Sequence, residues 1–482
     1  MSSDDLTLTA ATTESTRVSR RDLLTRAAQV GAGVALGGAT GGALSTTAAA
    51  ASHTPGRMKR APSAKVTIKL SIWADVNDAA VYKRIISDFE ASQSEIKVIP
   101  EQWVGDYYAK LQTQLAAGTV PDVVYFQPWT WQPFAIAGVL RPLDDFIKRD
   151  RAHIPDVWPA AYSSSVRWNG RVFMAPADAN PMVIIYNKHM FDKAHVPYPK
   201  EGWTVDDLIQ TAKELTIKKG DKVIQYGYQA NYGDSYFRNL GFMRLGGHFE
   251  STPQIKPRKA NFADPLVTRG LQIQLSDMPK MGISMPMGAL LAGGGQYGNY
   301  TYGIQNGLTA MKLEGPWFMP NLTGPSSVKK GGLPFDVVSH PRQGKEWHAP
   351  SGVSGHTIVS QSKNPEAAWE LIRFIISAEG QRRVAEGGRT CNTSENIKTI
   401  WFPLASKIYG FKNYEPWAKT VGAADMIVTG GVTSNQILLQ GGFDAATQAV
   451  GNGSQTAAQA YGAANPKIQA LYDAWWRAHP KG

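Results

Sequence analysis

The chain predicts an α/β protein of two layered units that face each other across a cleft. Three observations carry this. Runs of alternating apolar and polar residues recur between amphipathic stretches of helical period. A β-α-β arrangement of such runs is met twice along the chain. The first run begins only after an N-terminal segment with the features of an export leader.

The leader comes first. Ser19-Arg20-Arg21-Asp22-Leu23-Leu24 resembles a twin-arginine export motif, an apolar Gly/Ala-rich stretch follows from Ala27 to Leu44, and small residues near Ala50 and Ala51 offer a cleavage site. Residues 1–51 are therefore expected to be a twin-arginine signal peptide, and 52–65 a flexible basic spacer. The apolar stretch is too rich in glycine for a membrane span, which needs ~20 mostly apolar residues. No Cys follows it, so a lipid anchor is not expected. The single cysteine, Cys391, excludes an internal disulfide and is expected to be a small buried apolar residue. Net charge is +11; the leader carries four basic and four acidic groups, so the excess lies in the mature region. The positive residues are scattered and carry no nucleic-acid-binding motif, which makes a solvated surface the expected role and leaves an acidic ligand open.

The elements follow in order. Val66–Trp73 alternates, with Val66, Ile68, Leu70 and Ile72 on one face. Asn77 is expected to cap the next helix, whose buried stripe is Val81, Ile85, Ile86 and Phe89. Ile96–Ile99 reads as a strand, Asp106 as the cap of a helix closed by Gly118, and Val123–Phe126 as a third strand. A second run opens with the β-branched Val183–Tyr186 and turns into a helix at Asn187. Thr204 and Asp207 form a capping box ahead of Leu208, Ala212 and Leu215. Thr309–Leu313 is a short strand ended by Gly315-Pro316. Asn364-Pro365 starts a helix whose apolar face is Ala368, Leu371, Ile372, Ile375 and Ile376, and residues from Ile437 to Trp476 are mainly helical.

In open α/β sheets ligands lie at the carboxyl ends of strands. Three predicted strand ends carry tryptophan: Trp73, then Trp129 and Trp131, then Trp317. An indole face suits the apolar CH face of a sugar ring, although each of these rings could equally serve a core. Asp75, just past the first strand, is either an acceptor for ligand hydroxyls or a turn and cap residue. Other chemistry lacks its motif. His340, His348 and His356 recur every eight residues, which does not align them on a helix, and no Cys or carboxylate cluster joins them. Gly293–Gly298 lacks the Lys-Ser/Thr of a phosphate loop, and neither G-x-S-x-G nor H-E-x-x-H occurs. Met285, Met287 and Met311 are expected to be packing residues.

Four segments carry a resemblance: Asp106–Val124, Val183–Leu215, Gln305–Leu322 and Ser362–Arg383. In order and spacing they resemble the extracellular solute-binding proteins of ABC sugar importers, the broad group that includes maltose-binding protein. The resemblance implies a two-lobed periplasmic-binding-protein-like (type II) fold with the ligand cleft between lobes. One lobe would span 66–181 plus 355–388, the other 182–354 plus 389–482. It implies that Trp317, in a sequence similar to the family's AM-x-x-x-GPW motif, stacks on the ligand. Asn180 stands in the segment where maltose-binding protein places a ligand-binding glutamate; the missing charge argues against maltose itself. Gln127, Trp129 and Trp131 are implied contacts of the first lobe, and Tyr228, Asn231 and Tyr232 of the second. Gly352 and Ser354 lie in a glycine-rich crossing like the family's, and Arg389 and Asn392 lie near the last crossing.

The expected function is an exported binding protein that delivers a mono- or oligosaccharide to the permease subunits of an ABC importer. It would act as a monomer, without a cofactor or metal and without nucleic acid. The rivals are the same fold serving a polyamine, an anion or ferric ion, and, further off, a secreted carbohydrate-active enzyme. Only Asp75 and Glu314 offer carboxylates near the tryptophans, where a polyamine would want several.

Overall fold

A computed structural model describes residues 65–103, 105, 107–127, 130–152, 160–230, 256–291, 302–323, 332–342, 347, 349–422, 424–427, 437–438 and 440–480. The leader, Asp106 and His348 lie outside the described residues.

The elements run β1 (Val66–Trp73), α1 (Val76–Ser92), β2 (Ile96–Trp103), α2 (Tyr107–Ala117), β3 (Val123–Phe126), β4 (Leu140–Arg141), β5 (Arg167–Trp168), β6 (Arg171–Val172), β7 (Ala175–Ala179) and β8 (Val183–Asn187). Then come α3 (Lys188–Ala194), α4 (Val205–Leu215), β9 (Ile217–Lys219), β10 (Lys222–Gln229), α5 (Pro265–Gln272), β11 (Thr309–Glu314), β12 (Phe335–Val338), β13 (Ala349–Ser351) and β14 (Val353–Val359). The chain closes with α6 (Pro365–Ile376), α7 (Ala378–Glu386), α8 (Phe402–Tyr409), α9 (Glu415–Gly422), β15 (Ala424–Ile427), α10 (Phe443–Gly451) and α11 (Ala457–Ala478). Residues 108–120, most of them in helix α2, belong to a compact unit separate from that formed by 64–107 and 121–482.

Two sheets organise the larger unit. The first has the order β2-β1-β3-β14-β4, with β7 also paired to β14; β1 runs parallel to β2 and β3, and β14 runs antiparallel to its neighbours. The second has the order β12-β8-β11-β10-β9, with β10 and β11 parallel. The chain passes from the first sheet to the second between β7 and β8, and back into the first at β14.

The face expected of β1 is buried at Ile68, Leu70 and Ile72, but Val66 at the strand's start is exposed and Ser71 on the opposite face is fully buried. The stripe of α1 is buried as expected and gains Tyr82. Its cap is a correction. Asp75, not Asn77, is the N-cap: its Oδ1 accepts from the backbone N–H groups of Asn77 and Asp78, both at 2.9 Å. Asn77 already lies in the first helical turn, and only the extended residue before the helix can turn its side chain back on those amides. The capping box of α4 is formed in both directions, and its buried face is Val205, Leu208, Ala212 and Leu215. Asn187 caps α3 through His189 N. Asn364 occupies the cap position of α6 without a side-chain bond; its own N–H donates to Ser362 Oγ instead, at 3.1 Å. Ile376, expected on the buried face of α6, is only half-buried. The hairpin β5–β6 turns on Asn169-Gly170, both at positive φ (48° and 79°), the pairing that a two-residue hairpin turn prefers.

The apolar core of the second sheet joins Ile184, Tyr186, Met311 and Leu313 to Leu208, Leu271, Phe443, Tyr461, Ile468 and Tyr472. Residues distant in sequence, from α4 to α11, therefore share one core. Cys391 is fully buried, as a small apolar residue would be.

The segments that run between the sheets are tied to one another. Asn180 N donates to Gly352 O at 2.8 Å, and Asn180 Nδ2 donates to Ser354 Oγ at 2.9 Å. Thr390 Oγ1 donates to Ala179 O. The Arg389 guanidinium then grips two carboxylates: Nε and Nη2 donate to the two oxygens of Asp78 at 2.7 Å each, and Nη1 donates to Asp178 Oδ2 at 3.0 Å. Asp78 lies in the first turn of α1 and Asp178 in β7, so a single side chain ties a helix start, a strand end and the 387–392 segment together. Burial pushes the Asp178 carboxyl up to about 6, against the pull of Arg389. Beside this cluster His356 is fully buried, with Nε2 2.9 Å from Tyr82 Oη. Burial pushes its imidazole down to about 3.

Two measurements check this framework. Arg389→Met leaves two buried carboxylates without a counter-charge and should lower unfolding free energy by about 3–5 kcal/mol; adding Asp78→Asn and Asp178→Asn should restore much of the loss in urea titrations. His356 is neutral in the fold but takes a proton in the unfolded chain below about pH 6.5. Stability should therefore fall as pH falls from there towards 3, by about 1.4 kcal/mol per pH unit for this group, and His356→Gln should remove that slope.

Candidate functional site

The carboxyl ends of β1 and β11 present the candidate groups. Trp73, the last residue of β1, is half-buried and pairs across the ladder with Trp103. The chain then turns through Ala74, whose N–H donates to Trp103 O at 3.0 Å, into the Asp75 cap of α1. The Asp75 carboxylate is thus engaged by backbone amides, and burial together with the neighbouring Asp78 raises its pKa. The next residue, Val76, is 84% exposed, so the start of α1 opens directly to solvent.

At β11 the strand ends in Glu314, and Gly315 leads into a 3₁₀ turn, Pro316–Phe318, that carries Trp317. Trp317 is half-buried against the core of the second sheet. Its indole folds back over Gly315: a Cβ built there would lie 2.0 Å from Cζ3 and 2.1 Å from Cη2. Only glycine lets the ring lie so close to the backbone. This turn also abuts the 387–392 segment, since a Cβ on Gly388, at φ +84°, would meet the Pro320 ring at 2.9 Å and Pro316 O at 3.5 Å. A Cβ on Gly387 would lie 2.3 Å from Val81 of α1. Gly387-Gly388-Arg389 therefore lies between the helix that begins at Asp75 and the turn that carries Trp317, and contacts both. One short segment thus touches both the helix that follows β1 and the turn that follows β11.

The other expected residues fall as follows. Gln127 follows β3 and is half-buried, with its carbonyl accepting from Thr130 N and Thr130 Oγ1. Trp131 is fully buried, its ring stacked on Phe173 with centroids 6.1 Å apart. Tyr228 is 1% exposed within the core of the second sheet. Asn180 bonds to both Gly352 and Ser354, and the Arg389 donors are occupied by Asp78 and Asp178. Trp129, Asn231 and Tyr232 lie outside the described residues. Of the expected set, Trp73, Asp75, Gln127 and Trp317 combine partial exposure with a place just at or beyond a strand end.

Sequence reasoning missed the ion pair behind Trp317. Lys312 and Glu314 of β11 are both fully buried, with Lys312 Nζ donating to Glu314 Oε2 at 2.7 Å. Burial lowers the pKa of the Lys312 ammonium. Their i, i+2 spacing in a strand was the available signal, because it puts both side chains on one face. Among the described residues no group of three or more His, Cys, Asp or Glu side chains is arranged to hold a metal ion. His340 and His356 are each buried, and His340 Nδ1 lies 3.0 Å from the carbonyl O of Pro341.

Comparison with known proteins accords with this architecture. The sequence profile of the bacterial extracellular solute-binding protein family matches residues 84–398. The maltotriose-binding protein of Pyrococcus abyssi (strain GE5 / Orsay) is 23% identical over 317 residues, which span 64% of this chain and 62% of that protein. Among solved structures, the GacH receptor of Streptomyces glaucescens GLA.O, studied unliganded and with acarbose, superposes with a TM-score of 0.71 at 18% identity, covering 85% of this chain and 99% of that one. The ABC substrate-binding protein Lmo0181 from Listeria monocytogenes, in complex with cycloalternan, gives 0.69 at 21% identity, covering 84% and 98%. The maltose/maltodextrin-binding domain MalE from Bdellovibrio bacteriovorus, bound to maltotriose, gives 0.66 at 18% identity, covering 86% and 100%. The fold is the two-lobed α/β fold of these binding proteins, and this chain belongs to the bacterial extracellular solute-binding protein family.

Proposed function

We propose that this protein is the exported substrate-binding component of an ABC importer and that it binds an oligosaccharide between its two lobes. The observation that carries the reading is that one segment packs against both the helix that follows β1 and the turn that follows β11. The half-buried Trp73 and the exposed start of α1 come from one sheet, the half-buried Trp317 from the other, and Gly387-Gly388-Arg389 packs against both. Aromatic faces from both sides would cover the CH faces of sugar rings, and hydroxyls would find partners in the polar groups around them. The ligands of the similar proteins, maltotriose, cycloalternan and acarbose, support this class of solute.

The lobes are assigned as 66–181 plus 355–388 and 182–354 plus 389–482. This assignment follows the passage from β7 to β8, the return at β14 and the packing of α10 and α11 on the core of the second sheet. Lobe closure about the bonded segments at Asn180, Gly352 and Arg389 would bury the sugar and form the surface that a permease engages. Residues 1–51 direct export by the twin-arginine route, and the mature chain acts as a monomer. The role is binding and delivery without turnover. Trp317 supplies the principal stacking surface, and Trp73, Asp75 and Gln127 supply contacts from the first lobe. Asn180 and Arg389 act by holding the segments between the lobes.

Calorimetric titration of the mature chain against neutral and acidic mono- and oligosaccharides, with product analysis, tests the reading. One sugar should bind tightly at one per chain and remain intact. Trp317→Ala should fold normally and lose about 2–3 kcal/mol of affinity, on the order of a hundredfold. Absence of binding across the panel moves the assignment to a non-sugar solute, and cleaved product moves it to an enzyme.

A further inference from the structure

We propose that Glu314, held by Lys312, is a positioning residue that fixes the orientation of the Trp317 indole, an inference that rests on Trp317 being the ligand-stacking residue proposed above. Strand β11 lies in the middle of the second sheet, between β8 and β10. Met311 and Leu313 point into the apolar core. Lys312 and Glu314 alternate with them and are completely buried, with Ile185 and Gln229 as the ladder partners of Lys312. A buried ion pair is a poor way to stabilise a strand. Replacing such pairs by apolar residues is often neutral or stabilising, because the desolvation cost offsets the attraction. The ladder bonds of β11 to both neighbours already hold it in register.

The pair does supply something the ladder cannot. Past Glu314 the chain leaves the sheet, and the next peptide is held by Glu314 itself. Glu314 Oε1 accepts from Gly315 N at 3.0 Å, and Oε2 accepts from Lys312 Nζ at 2.7 Å. Lys312 Nζ also donates to Leu313 O at 3.2 Å. One ammonium and one carboxylate thus pin the backbone on both sides of residue 314. Gly315 is in turn the floor under the indole, since a Cβ built on it would lie 2.0 Å from Cζ3 of the ring, and its carbonyl accepts from Phe318 N at 3.2 Å. Moving the Gly315 peptide moves the surface on which Trp317 lies. A carboxylate that accepts a charge-assisted bond from the backbone is well suited to prevent this, because such a bond is roughly twice as strong as a neutral one.

Two double variants separate positioning from bulk stability. Lys312→Met/Glu314→Gln and Lys312→Met/Glu314→Leu both abolish the ion pair, but only Gln keeps an oxygen for Gly315 N–H. Each is made in the mature chain labelled with 5-fluorotryptophan, and the Trp317 resonance is identified by its loss in Trp317→Phe. Urea midpoints confirm folding. The Gln variant should keep the wild-type Trp317 resonance, whereas the Leu variant should shift or broaden it. Maltotriose, the probe in parallel titrations, should bind the Leu variant about tenfold more weakly than the Gln variant. Identical Trp317 resonances in the two folded variants overturn the proposal. This readout needs no ligand, so it stands apart from the fate of the sugar reading: unchanged maltotriose affinity in Trp317→Phe counts against stacking on this sugar and leaves the resonance comparison decisive for positioning.

Discussion

The Arg389 guanidinium, clasped by Asp78 and Asp178, is the constraint on which the rest of this structure depends. Its three bonds of 2.7–3.0 Å join the first turn of α1, the end of β7 and the segment that carries Gly387 and Gly388. That segment packs against Val81 on one side and Pro316 and Pro320 on the other. Removing the charge at 389 takes away the cation that pairs with two carboxylates whose side chains are only 9% and 2% exposed. The geometry around the start of α1 and the Trp317 turn is thus set from a distance by an ion pair that a ligand need never touch. Bidentate pairing gives that tie a direction as well as a strength, which a lysine at 389 would not provide.

A binding site of this kind needs rigid parts and a place where they can move. The rigid parts are the sheets, with apolar cores that reach across most of the chain. The connections between β7 and β8 and into β14 are tied by a backbone–backbone bond from Asn180 to Gly352 and a bond between the short polar side chains of Asn180 and Ser354. Bonds of that type can be retained while φ and ψ adjust around them. The glycines at 315 and 388 serve the opposite end, because each allows a closer approach than any side chain would permit. In this account the polar cluster positions, the glycines admit contact, and the tryptophans supply the surface.

Much of the fold was legible in the sequence because local physics decides it. Alternation marked β1, the apolar period marked α1 and α6, and the Thr204–Asp207 box marked the start of α4. The Asn77 expectation failed by two residues because a cap is chosen by which residue stays extended, a property set by where the strand lets go. The β5–β6 hairpin went unread because two-residue strands show no alternation, although Asn169-Gly170 was a usable signal. The strand ends were read correctly at Trp73, which closes β1, and at Trp317, three residues past β11. They gave no warning that the Trp131 ring would turn inward onto Phe173, since position along the chain does not determine where a ring points. Arg389 lies 311 residues from Asp78 and 211 from Asp178, and contacts of that range leave no local trace. β11 reads as a polar-apolar alternation, yet both its faces are buried, with charges covered on one of them.

We propose that one solute is held by the strand ends of both sheets together. Amide hydrogen exchange of the mature chain, with and without saturating amounts of the oligosaccharide that binds most tightly, addresses it directly. Slowed exchange is expected at once in residues 73–78 and in residues 315–318, the ends of β1 and β11. Protection confined to one of these segments, or appearing elsewhere and at neither, would contradict it.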